Sequence, residues 1–363
     1  MSEVTQAQVE AALAAIPDPH LDKDLMASKA VKKVTVNGGQ VEVQIELGYP
    51  AKSWLPALTQ LVQDKLGALP GVNGVNVQAG FKVTAHTVQK NLDLVPGVKN
   101  IIAVASGKGG VGKSTVAVNV ALALSAEGAK VGILDADIYG PSQPRMLGIK
   151  GKPDSKDGRT LEPMSSYQLQ AMSIGFLVDE ETPMIWRGPM VTQALEQLLK
   201  DTQWKDLDYL VVDMPPGTGD TQLTLAQKVP VSGAIIVTTP QDIALLDARK
   251  GLKMFEKVEV PVLGVVENMS IHICSRCGHE EPIFGVGGGL RMAEEAKVDF
   301  LGALPLDIRI REEADSGRPT VVAEPDSRIA LLYKDIARRA AARLSQRTRN
   351  LSAKFPKIMI SAN

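Results

Sequence analysis

The strongest chemical signal in the chain is the run Ser106-Gly107-Lys108-Gly109-Gly110-Val111-Gly112-Lys113-Ser114-Thr115. Gly107, Gly112, Lys113 and Ser114 satisfy the spacing G-x-x-x-x-G-K-[ST] of a phosphate-binding loop. Glycines let the main chain wrap closely around a phosphate, and successive N–H groups with a helix N-terminus supply positive potential. Lys113 is then placed for the β- and γ-phosphates, and the Ser114 hydroxyl for Mg2+. Cys274 and Cys277 are the only cysteines, and their C-x-x-C spacing admits three chemistries. It is half of a zinc site if His272 and His279 complete it. It is a redox dithiol if it opens a helix, which the surrounding glycine, proline and charge disfavour. A two-fold dimer would instead bring two pairs together, giving the four thiolates of a [4Fe–4S] cluster.

Three aspartates stand at the ends of apolar runs: Asp213 after Tyr209-Leu210-Val211-Val212, and Asp135 and Asp137 after Val131-Gly132-Ile133-Leu134. Open parallel sheets bind ligands at the carboxyl ends of their strands. A D-x-D at a strand end also serves as a helix cap, but beside a phosphate loop it reads as functional. Asn268 closes another apolar run. A guanine reader would show N-K-x-D, whereas Met269 and Ile271 occupy the Lys and Asp positions, so ATP is expected over GTP.

The loop GKGGVGKST, with its early Lys108, resembles the deviant Walker A motif. The family bearing it includes the nitrogenase iron protein, the septum-site and plasmid-partition ATPases, and the Mrp/ApbC iron–sulfur carriers. That resemblance implies that Lys108 reaches the partner subunit's phosphates in a nucleotide-sandwich homodimer. It implies that Asp213 is the Walker B carboxylate holding the Mg2+ water shell, and that Gly217 in Met214-Pro215-Pro216-Gly217 senses the γ-phosphate. Asp137 would orient the attacking water, Asp135 support the metal, and Asn268 contact adenine. Gly107, Gly109, Gly110, Val111, Gly112 and Thr115 would complete the nucleotide cradle around Lys113 and Ser114. The cysteine pair is similar to the Mrp/ApbC carriers specifically, because partition and septum-site ATPases lack it. Pro282-Ile283-Phe284-Gly285, Leu304-Pro305-Leu306-Asp307 and Ile310-Arg311-Glu312 extend the likeness over about residues 95–345. The resemblance therefore implies an ATPase, slow without its stimulating partner. It would carry a [4Fe–4S] cluster on Cys274 and Cys277 between subunits, and pass it from an assembly scaffold to apo iron–sulfur clients. A positioning ATPase and a zinc-stabilised scaffold are the alternatives.

These residues need a scaffold, and the chain supplies two kinds of pattern. Residues 1–90 read as a small α+β unit, with helices at Thr5–Ile16 and after Ser53. Between them, Val31–Val36 and Val41–Leu47 alternate apolar and polar residues around Asn37-Gly38-Gly39, a hairpin signal. Val72–His86 reads as strand, and the unit resembles the iron–sulfur assembly domain often fused ahead of these carriers. No cysteine precedes Cys274, so no ligand role is expected of it. Residues 91–100 read as a linker. Residues 101–347 hold short apolar runs without alternation, with helical segments between most of them, as expected for a mostly parallel α/β sheet covered on both faces. The basic helix Ile329–Arg347 is expected to be solvated, and residues 348–363 form a tail interrupted by Pro356.

Composition bounds the remaining possibilities. The 363 residues include 44% hydrophobic and 22% charged types, enough apolar material for a substantial core. Forty basic residues against 41 acidic ones give a net charge of −1, which disfavours nucleic-acid binding. No apolar run is long enough to span a bilayer, and stable membrane association is not expected. A polar start and two close cysteines fit a reducing cytoplasm.

Overall fold

The computed structural model describes residues 3–90, 92–178, 188–274 and 276–348. The tail expected at 348–363 lies almost wholly outside the described residues. In the N-terminal unit, Thr5 caps the helix Gln6–Ala14 through a capping box with Gln8. The strands Val31–Asn37 and Gln40–Leu47 form an antiparallel hairpin whose turn residues, Gly38 and Gly39, both have positive φ. That is the two-residue turn matching strand twist, and glycine adopts it without strain. Val41, Val43, Ile45 and Leu47 alternate inward and are buried, each worth about 1.5–3 kcal/mol of burial. Strand Gly74–Phe81 pairs parallel to Gln40–Leu47, shorter than the Val72–His86 expected. Helix Leu55–Gly67 packs on this sheet through Leu58, Val62 and Leu66.

The second unit is built on an eight-stranded sheet. Its spatial order is Phe300–Ala303, Val262–Glu267, Gly233–Thr238, Val98–Ala105, Leu207–Asp213, Val131–Asp135, Leu169–Ser173 and Met164–Ser166. All pairings are parallel except the last, where Met164–Ser166 runs antiparallel at the edge. The strand preceding the phosphate loop starts at Val98, because Val98 and Asn100 pair with Leu207 and Tyr209. Part of the stretch read as linker is therefore sheet. The edge hairpin escaped sequence reading, since its turn residues Tyr167 and Gln168 take positive φ without glycine or asparagine.

Helix Lys113–Ala126 is buried nearly all round, from Val116 to Leu124. It packs on the sheet beside helix Arg328–Ser345, which touches both it and the strands Phe300–Ala303 and Val262–Glu267. The expectation of a solvated C-terminal helix is thereby corrected: Ile329, Tyr333, Ile336, Ala340 and Leu344 are buried, and the arginines occupy its polar side. Glu127, at the C-cap of the phosphate-loop helix, is fully buried and joins both units. Its carboxylate accepts from the Ser53 N–H at 2.9 Å and hydroxyl at 2.5 Å, and lies 3.6 Å from the Arg338 guanidinium.

Candidate functional site

Three strand ends converge at one level, because Asp213 stands in register with both Val104 and Asp135. The phosphate loop leaves the central strand there. Gly107 must be glycine: a Cβ would come within 2.2 Å of the Asp247 carbonyl oxygen. Gly112 has φ +80° and a Cβ there would come 2.2 Å from Asn268 Nδ2. Helix Lys113–Ala126 begins at Gly112 without a side-chain cap, so its first N–H groups are left for an anion. Gly109 and Gly110 are exposed, Val111 is buried, and Lys108 is half-buried with no ion pair among the described residues.

Lys113 sits inside this cup. Its ammonium binds the Asp213 carboxylate, donates to Ser114 Oγ at 3.1 Å, and lies 3.9 Å from Asp137. Asp213 is fully buried and also accepts from Gln143 Nε2 at 2.9 Å. The same Nε2 donates to the Ser114 carbonyl at 3.1 Å. Gln143 was missed by sequence reading, its only signal being closeness in the chain to Asp135 and Asp137. Thr115 contributes its carbonyl to Asn119 Nδ2 at 3.0 Å, inside the helix.

Asp135 is held by main-chain and hydroxyl donors. Its carboxylate accepts from the Asp137, Ser142 and Gln143 N–H groups at 3.2, 3.0 and 3.0 Å, and from Ser173 Oγ at 3.2 Å. It thus folds the loop carrying Asp137 and Gln143 back over the phosphate loop. Burial, reinforced by the neighbouring Asp213 charge, pushes it up to about 7. Burial also raises Asp137, against the pull of Lys113. Gly217 donates its N–H to the Ser106 carbonyl at 2.9 Å, joining the loop after Asp213 to the phosphate loop.

Asn268 links the phosphate loop to the cysteines. Its Nδ2 donates to the Val111 carbonyl at 2.9 Å, and the chain then runs into a short hairpin, His272–Ile273 paired with Glu280–Glu281. Cys274 and Cys277 lie in its turn, Cys274 half-buried and Cys277 exposed. The backbone N–H groups of Arg276 and Cys277 draw the Cys274 thiol below its ordinary value. His272 lies beside them, but its Nδ1 faces the Leu306 carbonyl at 3.1 Å. No group of three or more metal-capable side chains forms among the described residues.

Residues 97–341 match the family described as the NUBPL iron-transfer P-loop NTPase. The chain belongs to that family. Residues 6–79 match a second family, described as an iron–sulfur cluster assembly protein. The iron–sulfur cluster carrier protein of Escherichia coli K12 is 51% identical over 343 residues, covering 94% of this chain and 93% of its own. The mouse iron–sulfur cluster transfer protein NUBPL is 52% identical over 252 residues, covering 69% of this chain and 79% of its own. Among solved structures, a nucleotide-binding protein of Archaeoglobus fulgidus in complex with ADP aligns with a TM-score of 0.56 and 38% identity. It covers 64% of this chain and 90% of that one. The resemblance carried by the phosphate loop and cysteine pair is thus borne out, and the chain is a P-loop NTPase with a mostly parallel sheet. Among the described residues no helix is long and apolar enough to cross a membrane.

Proposed function

We propose that this chain is an ATP-hydrolysing carrier that holds a [4Fe–4S] cluster between two copies of itself and delivers it to apo iron–sulfur proteins. One observation carries the reading: the cysteine hairpin offers two thiolates, and no third metal-capable side chain joins them among the described residues. A [4Fe–4S] cluster takes about four thiolates, and a two-fold axis would double the pair. The exposed apolar residues Ile243, Leu246, Ile283, Val286 and Leu290 support a homodimer. They lie on two mutually packed helices and the segment entering the second, close to where Asp247 meets Gly107.

In the nucleotide site, Lys113 would exchange Asp213 for the β- and γ-phosphates, with the helix N-terminus and loop N–H groups holding the remaining oxygens. The Ser114 hydroxyl and Asp213 carboxylate are hard oxygen donors of the kind Mg2+ takes. Those two residues would hold it, and the ion would neutralise phosphate charge. Asp137, held beside Lys113 by the loop that Asp135 organises, would orient the attacking water. Lys108 would serve the partner subunit's nucleotide, Asn268 the adenine, and Gly217 the γ-phosphate once its N–H leaves Ser106. Hydrolysis is slow until a client or scaffold completes that rearrangement. Because nucleotide and cluster would both lie between subunits, each must alter the other's affinity, reciprocally. Free thiols of this kind belong in a reducing cytoplasm.

The test is iron and sulfide per chain after anaerobic reconstitution, with the assembly mass measured on the same sample. About four irons per dimer is the expected result. Four irons on a monomer, one zinc per chain, or iron retained by Cys277→Ser would overturn the bridging site.

A further inference from the structure

We propose that the cavity between the N-terminal unit and the end of helix Arg328–Ser345 docks an acidic peptide segment of a partner protein. The cavity is about 560 Å3, and its lining sets Lys23, Lys29, Lys32 and Lys82 against one carboxylate, Glu46. Ser345 and Gln346 at the end of the C-terminal helix complete it. Ligand pockets span about 300–1,000 Å3, and this one is larger than a single phosphate fills.

The charge is unspent. Lys23 Nζ donates to Gln346 Oε1 at 3.0 Å and Lys32 Nζ to the Lys29 carbonyl at 2.7 Å, both neutral oxygens. None of the four lysines forms an ion pair among the described residues. Elsewhere on the molecule Lys99, Lys156, Lys205 and Lys250 reach carboxylates at 2.5–3.0 Å. Lysines on an edge strand also guard it against pairing with other chains, which accounts for Lys32 on Val31–Asn37. The same holds for Lys23 on the short edge strand Lys23–Asp24, but Lys29 and Lys82 lie outside every strand, so the guard role leaves them unexplained.

The chemistry of the lining selects the occupant. Among the described residues no arginine and no aromatic ring lines the cavity, which disfavours a bidentate phosphate clamp or a stacked nucleobase. Ammonium groups on flexible stems act as point charges around a polar hollow, an arrangement suited to several carboxylates of an extended chain. Such a segment would touch the N-terminal unit and the C-terminal helix at once. The inference rests on the reading of this chain as a carrier that meets protein partners. Its binding step, however, needs neither cluster nor nucleotide, so the two readings fail separately.

The experiment uses the full chain without cluster and a fluorescent hexaglutamate peptide, followed by anisotropy at low and at physiological salt. We expect saturable binding that weakens with salt, absent for hexaglutamine, and about tenfold weaker in the double variant Lys29→Glu/Lys82→Glu. Both lysines are exposed, and unchanged ADP affinity verifies that the variant is folded. If ADP affinity falls, the neutral pair Lys29→Gln/Lys82→Gln decides instead, with a smaller loss in the same direction. Equal peptide affinity in wild type and variant overturns the proposal, as does failure of the wild type to bind hexaglutamate. Tripolyphosphate displacing the peptide at far lower concentration would assign the cavity to a phosphate compound, and overturn it too.

Discussion

Replacing Lys113 by alanine removes more than a phosphate ligand. From sequence, Lys113 serves the nucleotide and its loss should spare the fold. In the structure its ammonium neutralises Asp213, which is fully buried beside the equally buried Asp135. Taking away one partner of a buried ion pair costs about 3–5 kcal/mol, because the other charge is left uncompensated. Uptake of a proton by the carboxyl cluster relieves part of this, and the relief grows as pH falls. Asp135 already stands at about 7, raised by burial and by Asp213, while Lys113 is one of the groups holding it down. Its folded value lies above the ordinary aspartate value of 3.8. The native state therefore keeps a proton that the unfolded chain releases, and this group's contribution to stability falls as pH rises between the two values. Without Lys113 that falling window reaches higher pH. Urea unfolding without nucleotide should show the variant less stable by about 3 kcal/mol at pH 8 and by about half that at pH 6. Nucleotide binding, read by fluorescent ATP titration, should be lost at both. A variant as stable as wild type at pH 8, or a deficit independent of pH, would refute this account of the site.

Asp137→Asn should leave ATP affinity nearly unchanged and slow turnover, because water orientation matters mainly in the transition state. Equal losses of affinity and rate would place Asp137 with the metal instead. Glu127→Gln should lower the urea midpoint, with a loss of about 2 kcal/mol, since Arg338 and Ser53 lose the carboxylate that joins the two units. Nucleotide affinity should stay unchanged, because Glu127 caps the far end of the helix that begins at Lys113. An unaltered midpoint would show that the seam is held by apolar packing alone.

Local chemistry made much of this protein legible in its sequence. The phosphate loop needs only neighbouring residues: glycines for tight curvature, a lysine and a hydroxyl at the start of a helix. The Gly38-Gly39 hairpin is equally local, since two positive-φ positions define both turn and register. Parallel strands buried on both faces announce themselves as apolar runs. What the tertiary structure alone decided are contacts between groups distant in the chain. Lys113 and Asp213 are 100 residues apart and meet because the strand that leads into the phosphate loop, Val98–Ala105, lies beside Leu207–Asp213 in the sheet. Asp135 is the acceptor that folds its own loop, with Ser173 brought beside it by sheet register. Gln143 entered the site on that loop without any motif to mark it. The basic C-terminal helix looked solvated because charge is visible in a sequence, while the partner for its alanine-rich face, the phosphate-loop helix, is not. Burial depends on which surfaces meet, and that is a property of the whole fold.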